Sequence, residues 1–287
     1  MKTLLERWYF AAQQAKEAHP ALQRYLLIDA AQLSGNALPW KDLVERGQVE
    51  NLLKGQPEAS APQVCALLIS YESHWVDGLL TRSLARRPFA FTLLVSALPQ
   101  TQLANALARK TSIALSEHRT GLMRFYDSAV LQSLIQVLGP RRSNALLGEA
   151  QAWMFVRRDG EVETLMPSVE SQGRSWVWAL NDRELQALER LGLADRVAAQ
   201  LRWQGVLSVN SDPIQTYQAI STLFGMLNAS KNSGEAQLYD VCALILPAAL
   251  EKLNDPKLMS IFERSRDKPA MLLVQVFDWV ESMKEGA

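Results

Sequence analysis

Two apolar runs without polar alternation do most to limit what this chain can become. Val64-Cys-Ala-Leu-Leu-Ile69 and Ala90-Phe-Thr-Leu-Leu-Val95 each read as a strand covered on both faces, since a strand with one wet face would alternate. Helical spacing separates and follows them. Ser73–Arg86 turns Trp75, Leu79, Leu80 and Leu84 inward, and Gln100–Lys110, behind Pro99, presents Leu103, Leu107 and Ala108. Upstream, Leu4–Ala18 carries Leu4, Leu5, Trp8, Ala11, Ala12 and Ala15 on a helical stripe, and Tyr25-Leu-Leu-Ile28 is a short strand ending at Asp29. Trp40–Leu53 reads as helical and Gly55–Pro62 as a loop. Downstream, Trp153–Val156 and Val162–Leu165 flank Arg158-Asp-Gly160, a hairpin signal, because Gly supplies the positive φ such turns need. The expectation is an α/β (α+β) N-terminal lobe with a central mixed sheet.

Beyond residue 180 only helical patterns follow. Asn181 and Glu184 form a capping box, Asp212-Pro213 and Asp255-Pro256 are helix starts, and Asp267-Lys-Pro269 repeats the signal. Ile214, Tyr217, Ile220, Phe224 and Leu227 make one inner stripe, and the last helix carries Met271, Val274, Phe277 and Val280. Pro247 should kink the helix Glu235–Leu253, because its ring removes the bond to the Ala243 carbonyl. The reading is an α/β domain at 1–166, a linker at 167–180 and an all-α lobe at 181–287. A length of 287 residues favours two cores over one.

Thirty basic residues balance thirty acidic ones, so no overall field draws in nucleic acid or an anionic membrane. Cys65 and Cys242 lie in apolar segments and read as buried free thiols of a reducing compartment. Glu6 and Arg7 interrupt the N-terminal apolar stretch, and no run approaches the roughly 20 residues that span a bilayer. The expectation is a cytoplasmic protein without membrane or nucleic-acid partners.

The most informative polar stretch is Gly121-Leu-Met-Arg-Phe-Tyr-Asp127. Ser112–Leu115 and Leu122–Tyr126 read as two short strands, the second pointing Met123 and Phe125 one way and Leu122, Arg124 and Tyr126 the other. Asp127 then stands where an N-cap belongs, before the helix Ser128–Leu138. Arg124 and Asp127 thus bracket a corner, either as a structural ion pair or as a recognition point. Trp176 and Trp178 share one side of an extended Ser175–Trp178, either wedged in packing or offered as anchors to another protein. No catalytic, cofactor-binding or metal-ligating constellation emerges: His19, His74 and His118 lack ligand spacing, and no nucleophile elbow or phosphate loop occurs. Four carboxylates, Asp29, Glu72, Asp77 and Asp127, would converge if strand ends gather them. An α/β hydrolase or transferase with an acidic site near Asp29 and Asp127 therefore stands as the alternative function.

The order of Tyr25-Leu-Leu-Ile-Asp29, Phe89–Leu98, Leu122-Met-Arg-Phe-Tyr-Asp127 and Leu138-Gly-Pro140 resembles the bacterial type VI secretion effector-chaperone (adaptor) family. Ser128 stands where that family's pattern has proline, and its basic patch is reduced to Arg109-Lys110. The resemblance covers about Tyr25–Trp153. It implies a non-enzymatic protein without cofactors that holds a toxic effector and loads it onto the spike. The implied partners are a cognate secreted effector and the valine-glycine-repeat spike protein.

Overall fold

The computed structural model describes residues 2–33, 38–116, 118–168, 178–229, 234–265 and 268–284. The chain divides into two compact units, Met1–Arg190 and Leu191–Ala287.

The first unit is built on a six-stranded sheet. Its strands are β1 (Gln23–Asp29), β2 (Val49–Asn51), β3 (Ala66–Ser70), β4 (Phe91–Ser96), β7 (Ala152–Val156) and β8 (Val162–Leu165), in spatial order β2-β3-β1-β4-β7-β8. Each of these ladders is antiparallel. The unalternating runs are strands buried on both faces, as their composition requires. On one face Tyr25, Leu27, Leu68, Leu94, Trp153 and Phe155 share a core with Leu103 and Leu107 of α4 (Gln100–Ala108). Leu131 and Leu134 of α5 (Ser128–Leu147) complete it. On the other face Val95 and Ala152 meet Ala15 of α1 (Leu4–Ala18), which a Thr3–Glu6 capping box starts. Fully burying one such Leu is worth roughly 1.5–3 kcal/mol.

Several sequence expectations are corrected here. Trp40–Leu53 is not one helix: α2 (Trp40–Glu45) gives way to β2, whose three residues pair with Leu67–Ile69 of β3. The helix read over Ser73–Arg86 is the shorter α3 (Val76–Ser83). The strand read at Leu122–Tyr126 sits earlier, as β6 (Thr120–Leu122) paired with β5 (Ser112–Ala114) in a separate two-stranded sheet. The chain from Met123 to Asp127 runs in tight turns, with Phe125 N–H donating to the Met123 carbonyl at 3.0 Å and Asp127 N–H to Arg124 at 3.1 Å. Turning in this way breaks the strict alternation and buries Tyr126 together with Met123 and Phe125.

Most of the stretch read as a linker, 169–177, lies outside the described residues, as does Asp267. The helix opening at the Asn181–Glu184 capping box, α6 (Asp182–Leu191), packs Leu188 against the first core, and Glu184 pairs with Arg142 at 2.6 Å. The two compact units divide between Arg190 and Leu191.

The second unit comprises α7 (Leu193–Trp203), α8 (Pro213–Ala229), α9 (Glu235–Ala249), α10 (Pro256–Arg264) and α11 (Leu272–Lys284) around their own core. α9 continues two residues past Pro247 before a 3-10 turn, so the proline marks its end rather than a mid-helix kink. On α8 the buried positions are Thr216, Ala219, Ile220, Leu223 and Leu227, with Tyr217 and Phe224 only partly covered. On α11 the buried stripe is Leu272, Val276, Trp279 and Val280, whereas Met271, Val274 and Phe277 face outward. Among the described residues, no helix is long and apolar enough to cross a membrane.

Candidate functional site

The corner read around Arg124 and Asp127 closes on a third residue far away in sequence. β1 ends at Asp29, whose side chain is 0% exposed. Its Oδ1 accepts from the Ala31 N–H at 3.2 Å, and its Oδ2 from the Gln32 side-chain amide at 3.0 Å. Across the corner, Arg124 Nη2 donates to Asp29 Oδ2 at 2.8 Å and to Asp127 Oδ2 at 3.3 Å. Asp127 also caps α5 as its sequence position predicts, accepting from Ala129 N–H at 3.0 Å and Val130 N–H at 3.4 Å. One guanidinium therefore ties the end of β1 to the start of α5.

The charge balance explains why the pairing persists. Burial opposes the Arg124 charge, but Asp29 and Asp127 outweigh it and hold the guanidinium above its ordinary pKa. Burial first, and the Asp29 charge second, push the Tyr126 phenol upward. Asp29 is fully buried with donors at both oxygens, which places it as a structural acceptor at the end of β1. The Arg124 side chain remains 44% exposed, so part of its donor fork faces solvent.

The four carboxylates do not converge. Asp29 pairs with Ala66 at one end of the β1–β3 ladder, while Tyr25 pairs with Ser70 at the other. Glu72 and Asp77 follow that second end. There they line an open cleft of about 370 Å³ with Tyr9, Arg24, Tyr71 and His74. Arg24 Nε donates to Glu72 at 3.0 Å, and its guanidinium lies 4.8 Å from the Tyr71 ring centroid. Burial drives the Tyr71 phenol up to about 12. No sequence motif pointed to this cleft, because its walls come from α1, β1 and the segment after β3. Among the described residues, no three His, Cys, Asp or Glu side chains gather as a metal would need.

The tryptophan pair divides. Trp176 lies outside the described residues. Trp178 is buried in the first core, and its carbonyl accepts from the Ala114 N–H at 2.8 Å. With Leu180 N–H donating back to the Ala114 carbonyl at 3.0 Å, residues 178–180 extend the β5 edge in a parallel bridge. The Trp178 ring packs inside the unit. The basic pair Arg109-Lys110 also divides functionally: Lys110 is buried, its Nζ donating to the Ala145 and Leu146 carbonyls at 3.0 and 2.8 Å, with Glu149 at 3.3 Å. It satisfies the last turn of α5, as a cation at a helix C-terminus should.

Residues 24–145 match the model of a family described as a domain of unknown function (DUF4123). No curated protein and no solved structure matches the chain. The matched span runs from β1 into α5. It contains the Asp29–Arg124–Asp127 corner and leaves the second unit outside.

Proposed function

We propose that this chain is a type VI secretion effector chaperone, or adaptor. It binds a cognate toxic effector and promotes its loading onto the valine-glycine-repeat spike protein, in the bacterial cytoplasm and without catalysing a reaction. The carrying observation is that the family match at 24–145 spans the ordered motifs Tyr25–Asp29, Phe89–Leu98 and Leu122–Asp127, in a family commonly associated with such adaptors. The corner's chemistry supports the same reading. Its carboxylates are engaged by Arg124, Ala31 and Gln32, a clasp that shapes a surface rather than an acid–base pair. Within that surface Arg124 and Asp127 are the residues assigned to client contact, the half-exposed guanidinium offering donors to a main-chain carbonyl.

Co-expression with the effector encoded beside it, followed by size-exclusion chromatography with light scattering, tests the proposal. A stable heteromeric complex is expected. An isolated monomer beside free effector would contradict it, as would a hydrolytic or transfer activity abolished by Asp29→Asn or Asp127→Asn with folding intact.

A further inference from the structure

The small sheet of the first unit is extended along one edge and open along the other. Two cross-strand bonds fix its phase: Met123 N–H donates to the Thr111 carbonyl at 2.7 Å and Leu115 N–H to the Arg119 carbonyl at 2.8 Å. In an antiparallel ladder, bonded pairs alternate with unbonded ones. Gly121 opposite Ile113 is therefore a bonded pair, whereas Thr120 opposite Ala114 and Leu122 opposite Ser112 are not. Ala114 bears this out, since its N–H and C=O bond to Trp178 and Leu180 on the far side of β5. By the same rule Thr120 and Leu122 turn their N–H and C=O groups away from β5. No backbone group among the described residues takes those four, and both residues are exposed.

The hydrogen-bonding pattern selects the occupant. Two donors and two acceptors, repeating every second residue over about 7 Å, match an extended backbone; a helix has spent its own groups internally. Residues 178–180 already lie on the opposite edge as a third strand. A second copy fits badly, because two three-residue edges about 10 Å long fall far short of the about 800 Å² per partner that a stable dimer buries. A client gripped at the neighbouring corner needs to lay down only a few residues here. The large sheet has a comparable edge at β8, where Arg157 N–H donates to the Glu161 carbonyl at 2.8 Å and so sets Val162 and Thr164 outward. β6 is favoured over it: it runs directly toward Arg124 and lies within the matched span, which ends before β8. We propose that the outer edge of β6 receives an extended segment of the client polypeptide as an added strand, through the backbone groups of Thr120 and Leu122. The proposal rests on the adaptor reading and adds the conformation of the segment held.

Residue-resolved amide hydrogen exchange tests it, comparing the full chain alone with the full chain saturated by the effector encoded beside it. In the free chain the Thr120 and Leu122 amides should exchange fast and the Gly121 amide slowly. In the complex Thr120 and Leu122 should slow by at least ~10-fold. Leu122→Pro deletes one outward donor, a change that an edge strand tolerates, and should weaken the complex about 3- to 10-fold, the worth of one hydrogen bond. Leu122→Thr keeps the N–H and should bind as the parent does. Circular dichroism reports whether each variant is folded; if Leu122→Pro is not, the exchange comparison still decides. Unchanged exchange at Thr120 and Leu122 in a formed complex would overturn the proposal. So would new protection confined to Val162 and Thr164, equal weakening by both folded variants, or protection that appears on concentrating the chain alone. Each of these, with the complex formed, removes the β6 edge and leaves the adaptor reading standing. Absence of any complex removes the adaptor reading, and this proposal with it.

Discussion

Arg124 touches two carboxylates that sequence separates widely, and the two contacts differ in what their loss costs. Arg124→Ala leaves the Asp29 charge buried without its cation, a change worth about 3–5 kcal/mol in a dry site. Water reaches the half-exposed Arg124, so about 2–3 kcal/mol is expected from urea unfolding. Asp127→Ala removes chiefly the α5 cap and should cost about 1 kcal/mol. Equal costs would contradict the clasp. Of this corner the sequence showed the cap, because Asp before a helical stripe is a local signal. It did not show the partner, since Asp29 lies 95 residues from Arg124 and only the fold joins them. Alkaline stability belongs to the same scale. Burial raises Cys242 from 9.0 and Tyr71 from 10.0, each to about 12. A raised folded pKa contributes stability that is complete below the unfolded value and lost as pH climbs through the folded one. Lys110, lowered by burial, acts in the opposite sense toward 10.5. Urea midpoints should therefore hold to about pH 9 and fall between 9 and 12, and Cys242→Ala should flatten the start of that fall.

Elements were legible where composition alone decided them. Strands β3 and β4 are apolar on both faces and have one place to go, and the Asp-Gly turn announced the β7–β8 hairpin, with Gly160 at φ 86°. β2 escaped notice because three residues carry no period; pairing with β3 makes it a strand. α11 misled for the opposite reason: apolar residues on both sides leave the period ambiguous, and packing against the second core selects Leu272, Val276 and Trp279 over Met271, Val274 and Phe277. In α5, Gly139 breaks the helix at φ 70°, ψ 172°, before Pro140. A Cβ there meets nothing within 4 Å, so the cost of Gly139→Ala is conformational rather than steric. Thermal unfolding should register about 1–2 kcal/mol of destabilisation; none would mean that the break relaxes into continuous helix.

Each unit of the whole molecule carries its own core, and core damage should report by unit. Leu223→Ala, at a fully buried position of α8, should cost about 3 kcal/mol, read by hydrogen exchange as lost protection across α7–α11. Protection lost equally in β1 and β4 would make the two cores one cooperative body. On the proposed adaptor reading this molecule works by offering surface, with the clasped Asp29–Arg124–Asp127 corner on the first unit. Calorimetric titration of the full chain with the purified N-terminal region of its neighbouring effector tests that most directly. Saturable heat with one-to-one stoichiometry, and an effector recovered unchanged, is the predicted result. A flat titration, or an effector returned cleaved or modified, would contradict it.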